Sequence, residues 1–130
     1  MTIMEIETII CKERGVDPEI LHIEGRQITE FVLTRQIIMY FSFMYRCGTQ
    51  FSIGAFFGRD HATALHAKKV INNLIETDKR FAQQIRDYKI QIDISIGFVS
   101  IPDLKHEIIT VENRLGRLKF LLAELETFTA

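Results

Sequence analysis

Residues 57–69, FGRDHATALHAKK, bring an Arg-Asp pair, two histidines and two lysines into one short stretch that starts with a turn and continues as a helix. A metal site needs convergent ligands. His61 and His66 are five positions apart, about 140° around a helix of 3.6 residues per turn, whereas two imidazoles share a face at i, i+4. Triad catalysis needs a histidine oriented by a carboxylate from elsewhere, and Asp60 is adjacent in the chain to His61. No Ser or Cys sits in a recognised nucleophile motif. The pattern therefore calls for no metal, no cofactor and no catalytic residue. What remains is a surface that recognises, since imidazoles and hydroxyls donate and accept and the basic side chains carry charge. Plainer roles stay open: Asp60 as a helix cap, His66 as a core histidine bonded to backbone, and Lys68-Lys69 as a solvated face.

The rest of the chain must hold that stretch in place. With 130 residues and 47% hydrophobic content, it supplies one compact domain and an appendage. Net charge is −1, but it is unevenly spread: residues 1–34 hold three Lys/Arg against seven Asp/Glu, residues 35–90 nine against four, and residues 91–130 four against six. The middle is basic, which is where phosphates would be held. No run of eighteen apolar residues exists and the acidic N-terminus is unlike a secretory signal, so an intracellular, cytoplasmic protein away from membranes is expected. Cys11 and Cys47, without a CxxC, are expected to be reduced thiols.

Ile3, Ile6, Ile9 and Ile10 recur at helical spacing, and Gly15 followed by Asp17-Pro18 ends that helix and starts a second, short one. After Gly25, a run apolar at Phe31, Ile38, Phe41, Met44 and Tyr45 predicts a helix crossing the core, with Thr29 and Glu30 at its start. FSIGAFF gives a short helix, Gly58 a tight corner, and a helical pattern resumes from Asp60 to Lys89 with Ala64, Ala67, Ile71, Leu74 and Ile75 on one side. A long helix, a short helix, a glycine turn and a new helix is the order of a helix-turn-helix.

The tail differs. Residues 90–96 alternate Ile90, Ile92, Ile94 and Ile96 against polar residues, the period of a half-buried strand. Ile101, Leu104, Ile108, Val111, Leu115, Leu118, Leu122 and Leu125 then step by three and four, a heptad stripe. The expected division is a domain over residues 1–89 and a strand plus coiled-coil-like helix over 90–130. A homodimer through Leu104, Ile108, Val111, Leu115, Leu118, Leu122 and Leu125 is expected. Parallel pairing opposes Glu107 to Glu112 and Arg114 to Lys119, while antiparallel pairing opposes Lys105 to Glu126 and Glu112 to Lys119. The competing reading folds this helix back onto its own domain, as Phe120, Leu121 and Phe128 widen its apolar face.

The strings LTRQIIMY (residues 33–40) and FGRDHATALHA (residues 57–67), in this order and separation, resemble the C-terminal duplex-binding domain of the bacterial replication initiator DnaA. The similarity runs from about Ile3 to Tyr88. It implies an all-α fold of the Trp-repressor-like helix-turn-helix kind, whose recognition helix enters the major groove of double-stranded DNA. Position by position, it implies Asp60, His61, Thr63 and His66 at base edges or adjacent phosphates. Arg35 and Gln36 would touch DNA from the preceding long helix, and Arg26 is the nearest candidate for a minor-groove arginine, one residue off the family's spacing. By their charge, Arg35, Arg46, Arg59, Lys68 and Lys69 would hold phosphates, a sequence-blind contribution that fixes register.

This sequence departs from the family where Ala62 replaces a hydroxyl residue and keeps a methyl that can touch thymine. Gly58 stands where two glycines are common, and Gln50 where an aliphatic residue is usual. It contains no G-x-x-x-x-G-K-[ST] loop, so no ATP is expected. The reading is a sequence-specific, nucleoid-associated DNA binder in replication control or transcription. Its rivals are a protein-interaction module working through the C-terminal helix, and a nuclease-like enzyme on Asp60, His61 and His66.

Overall fold

The computed structural model describes residues 1–23, 28–97 and 101–129. The described residues form seven helices: α1 (Ile3–Arg14), α2 (Pro18–Leu21), α3 (Thr29–Met44), α4 (Gln50–Phe56), α5 (His61–Thr77), α6 (Lys79–Ser95) and α7 (Ile101–Thr129). They divide into two compact units, Met1–Ile96 and Gly97–Ala130.

Local chemistry sets the helix ends of the first unit. Thr2 caps α1 by accepting from the Glu5 amide, and Gly15 closes it in the left-handed region at φ 66°, which glycine enters without steric penalty. Asp17 caps α2 and Pro18 occupies its first turn. Ile6 and Ile10 of α1, Leu21 of α2, and Ile37, Ile38 and Phe41 of α3 are fully buried. Each such side chain contributes about 1.5–3 kcal/mol by leaving water. α3 is the central helix, packed on α1, α4 and α5. Its buried Thr34 and Ser42 bond back to the carbonyls of Glu30 and Ile38, so burial leaves neither hydroxyl unsatisfied.

Two sequence expectations fail in α6. The pattern from Asp60 to Lys89 is not one helix, because Asp78 breaks it. Its backbone turns to φ −127°, ψ 106° and its carboxylate accepts from the amides of Arg80 and Phe81, capping a new helix. The strand over residues 90–96 is also absent: 90–95 are the last turns of α6. Phe81, Ala82, Ile85, Tyr88 and Ile92 are buried at helical spacing, whereas Ile94 is exposed, so the alternation is a fragment of a 3.6-residue period. The first unit consequently extends past the expected boundary at residue 89.

Arg14 binds this unit together. Its guanidinium donates to Thr34 Oγ1 (2.9 Å), Tyr88 Oη (3.2 Å) and Glu30 Oε1 (2.6 Å), joining α1, α3 and α6. Its side chain is 7% exposed, while its partner Glu30 stands at the surface at 54%, so the bonds to Thr34 and Tyr88 are the more shielded part of the network. Replacing Arg14 by Met keeps the stem and removes every donor. The expected loss is about 2 kcal/mol, read as a lower urea midpoint at unchanged slope.

Cys11 and Cys47 are free thiols. Burial, with Glu7 and Asp17 nearby, pushes the Cys11 thiol up to about 12, so it stays protonated and behaves as a small apolar side chain.

Candidate nucleic-acid interface

The corner between α4 and α5 depends on two glycines. Gly58 lies at φ 68° and completes the turn. Gly54, inside α4, lets the backbone of the next helix approach: a Cβ there would stand 2.4 Å from the Asp60 carbonyl oxygen and 3.0 Å from that of Arg59. The Arg59 amide donates to the Gly54 carbonyl at 2.9 Å, closing the corner. Asp60 then caps α5, with its Oδ1 accepting from both the amide and the hydroxyl of Thr63 at 2.8 Å. These hydrogen bonds hold its carboxyl below the usual carboxylate range. Asp60 is thus a helix cap in fact, and a carboxylate oxygen has room for further donors.

α5 anchors itself through Ala64, Ala67 and Ile71, which are buried. Its opposite side is exposed: His61, Ala62, Thr63, Leu65, His66, Lys68 and Lys69 all meet solvent. His66 is therefore a surface residue and not a core histidine. The His61 ring tilts against Phe51 at 4.7 Å between centroids, and Phe51 is itself 59% exposed in the first turn of α4. Lys68 Nζ lies 5.4 Å from the Phe43 ring centre, within cation–π range.

Between α3 and α5 lies a cleft of about 410 Å³, lined by Val32, Arg35, Gln36, Met39, Arg59, Thr63 and His66. Five residues singled out from sequence, Arg35, Gln36, Arg59, Thr63 and His66, therefore share one concavity. Arg35 is nonetheless only 4% exposed, and its Nη1 donates to the Leu21 carbonyl at 3.3 Å. Burial, and secondarily the charge of Arg59, push its guanidinium pKa down. Two cations thus sit at one cleft wall, a place an anion is electrostatically favoured to occupy. Arg26 lies outside the described residues.

Sequence reasoning missed Gly54 and Phe51. A glycine in an apolar helix carries no sign of which backbone approaches it, and Phe51 reads as core until its partner His61 is placed. Among the described residues, no group of three or more His, Cys, Asp or Glu is arranged to hold a metal ion, and no helix is long and apolar enough to cross a membrane.

The family model for the bacterial dnaA protein helix-turn-helix matches residues 3–71, which covers α1 to α4, the corner and most of α5. Chromosomal replication initiator proteins DnaA are also similar to this chain. That of Bacteroides thetaiotaomicron is 35% identical over 88 residues, 67% of this chain and 18% of the relative. That of a Wolbachia species from Brugia malayi is 38% identical over 90 residues, 68% of this chain and 19% of the relative. That of Flavobacterium psychrophilum is 36% identical over 83 residues, 63% of this chain and 17% of the relative. The chain thus spans under a fifth of the length of these curated relatives. With a glycine corner, an exposed polar face on the following helix and a family model covering more than half of the chain, this protein belongs to the bacterial DnaA helix-turn-helix family.

Proposed function

We propose that the first unit is a sequence-specific reader of double-stranded DNA that places the first two turns of α5 in the major groove. His61, Ala62, Thr63 and His66 meet base edges, the imidazoles and hydroxyl through hydrogen bonds and the methyls against thymine. Arg59, Lys68 and Lys69 hold phosphates on either side, and a phosphate seated at the cleft mouth also feels the buried charge of Arg35, with Gln36 beside it. Asp60 keeps the helix start in shape and is available to accept from a cytosine amine. Arg26 remains the proposed minor-groove contact. The role is binding and not catalysis, in replication control or transcription, in the cytoplasm at the nucleoid.

The observation that supports this reading is the division of α5 into an anchored face of Ala64, Ala67 and Ile71 and an exposed face rich in donors and cations. Selection of duplexes from a random pool tests it. A recovered consensus is expected, bound with an affinity that falls linearly in log[salt]. Recovery of random sequence would remove the specific reading.

A second reading keeps the fold for protein contacts through α7, whose apolar side chains are exposed. Salt separates the two, because an apolar helical contact responds little to ionic strength while phosphate contacts respond steeply.

A further inference from the structure

α7 carries Ile108, Val111, Leu115, Leu118, Leu122 and Leu125 along one stripe, with exposures from 48% at Ile108 to 63% at Leu125. A helix in water gains most of its stability from packing an apolar face, so a stripe of this length calls for a covering surface. The charges flanking the stripe identify that surface. We propose that it is α7 of a second copy of this chain, lying antiparallel in one defined register.

In that register Ile108 of one copy packs on Leu125 of the other, Val111 on Leu122, and Leu115 on Leu118, with each layer repeated by the two-fold axis. On one flank Lys105 faces Glu126 and Glu112 faces Lys119, all attractive. On the other flank Glu107 faces Phe128 and Arg114 faces Leu121, where the aliphatic stem of the arginine covers the leucine and no like charges meet.

Neighbouring alternatives are penalised. Sliding one step towards the N-termini sets Lys105 against Lys119, Glu112 against its own counterpart and Arg114 against its own. Sliding one step the other way sets Glu112 against Glu126 and Lys119 against itself. Two steps towards the N-termini mend the charges but set Leu122 and Leu125 opposite residues outside α7. A parallel pair opposes Glu107 to Glu112 and Arg114 to Lys119. The sequence thus selects one arrangement by excluding its competitors.

Sedimentation equilibrium of the full chain at tens of micromolar, without DNA, tests this independently of the DNA reading. The expected mass is twice the 15.1 kDa of the chain. Lys119→Glu and Glu112→Lys should each weaken the dimer roughly tenfold, because the two-fold axis converts two attractive pairs into repulsive ones. The double exchange should restore wild-type dimerisation. A parallel dimer responds with the opposite sign: either single change puts opposite charges where like charges stood, and association tightens. A wild-type chain that sediments as a monomer, or single variants that associate more tightly, would overturn the proposal.

Discussion

Gly54→Ala is expected to lower the stability of the first unit by about 1–3 kcal/mol, the range for forcing extra atoms into a filled space, and to abolish specific duplex binding in whatever fraction still folds. The new methyl would stand 2.4 Å from the Asp60 carbonyl oxygen. That oxygen cannot swing away like a side-chain tip, because it belongs to the backbone that starts α5 and accepts from the Ala64 amide. Relief requires moving the whole helix start, and with it His61, Thr63 and His66. Urea unfolding gives the stability and titration with the selected duplex gives the binding. Gly116→Ala is the matched control: nothing lies within 4 Å of its added Cβ, and alanine in a helix interior should favour α7 by about 0.5–1 kcal/mol. Wild-type stability for Gly54→Ala would mean that the corner is not as tight as described.

The second large effect concerns readout. His61→Ala and Thr63→Ala should each cost the preferred duplex about 1–3 kcal/mol, roughly tenfold to a hundredfold, and little on unrelated sequence. The fold should tolerate both. His61 is exposed, and without the Thr63 hydroxyl the Asp60 carboxylate still accepts from the backbone amide of residue 63. Lys68→Ala should instead weaken all duplexes alike and reduce the salt slope by about one. Competition titrations of specific against scrambled duplex separate the two behaviours. Equal losses on both duplexes from all three substitutions would point to phosphate contacts alone.

Much of this architecture is legible in the sequence because local chemistry marks it. Gly15 and Asp17-Pro18 punctuate α1 and α2, and Gly58 sets the corner, through backbone preferences that act without regard to the rest of the fold. The exposed polar face of α5 follows from small residues on one side and polar residues on the other. Features decided by distant partners are not legible in that way. Asp78 sits between two amphipathic segments, and only the turn of its backbone shows that it caps a new helix. Ile94 completes an apparent strand alternation, yet it points to solvent because burial in α6 is set by Phe81, Ile85 and Ile92 against the core. Arg35 looks like a surface cation until the Leu21 carbonyl is found beside it. Gly54 is silent for the same reason, since its importance lies in another segment's backbone.

The Arg14 network also bears on how this domain matures during synthesis. Its arginine lies on the first helix, while Tyr88 is 74 residues further along and Ile92 beyond that is fully buried. A nascent chain that has emerged only as far as residue 71, the end of the family match, has no α6 to pack against α1 and α5. Until α6 leaves the ribosome the early helices therefore carry a naked apolar flank, the kind of surface that invites chaperones or aggregation.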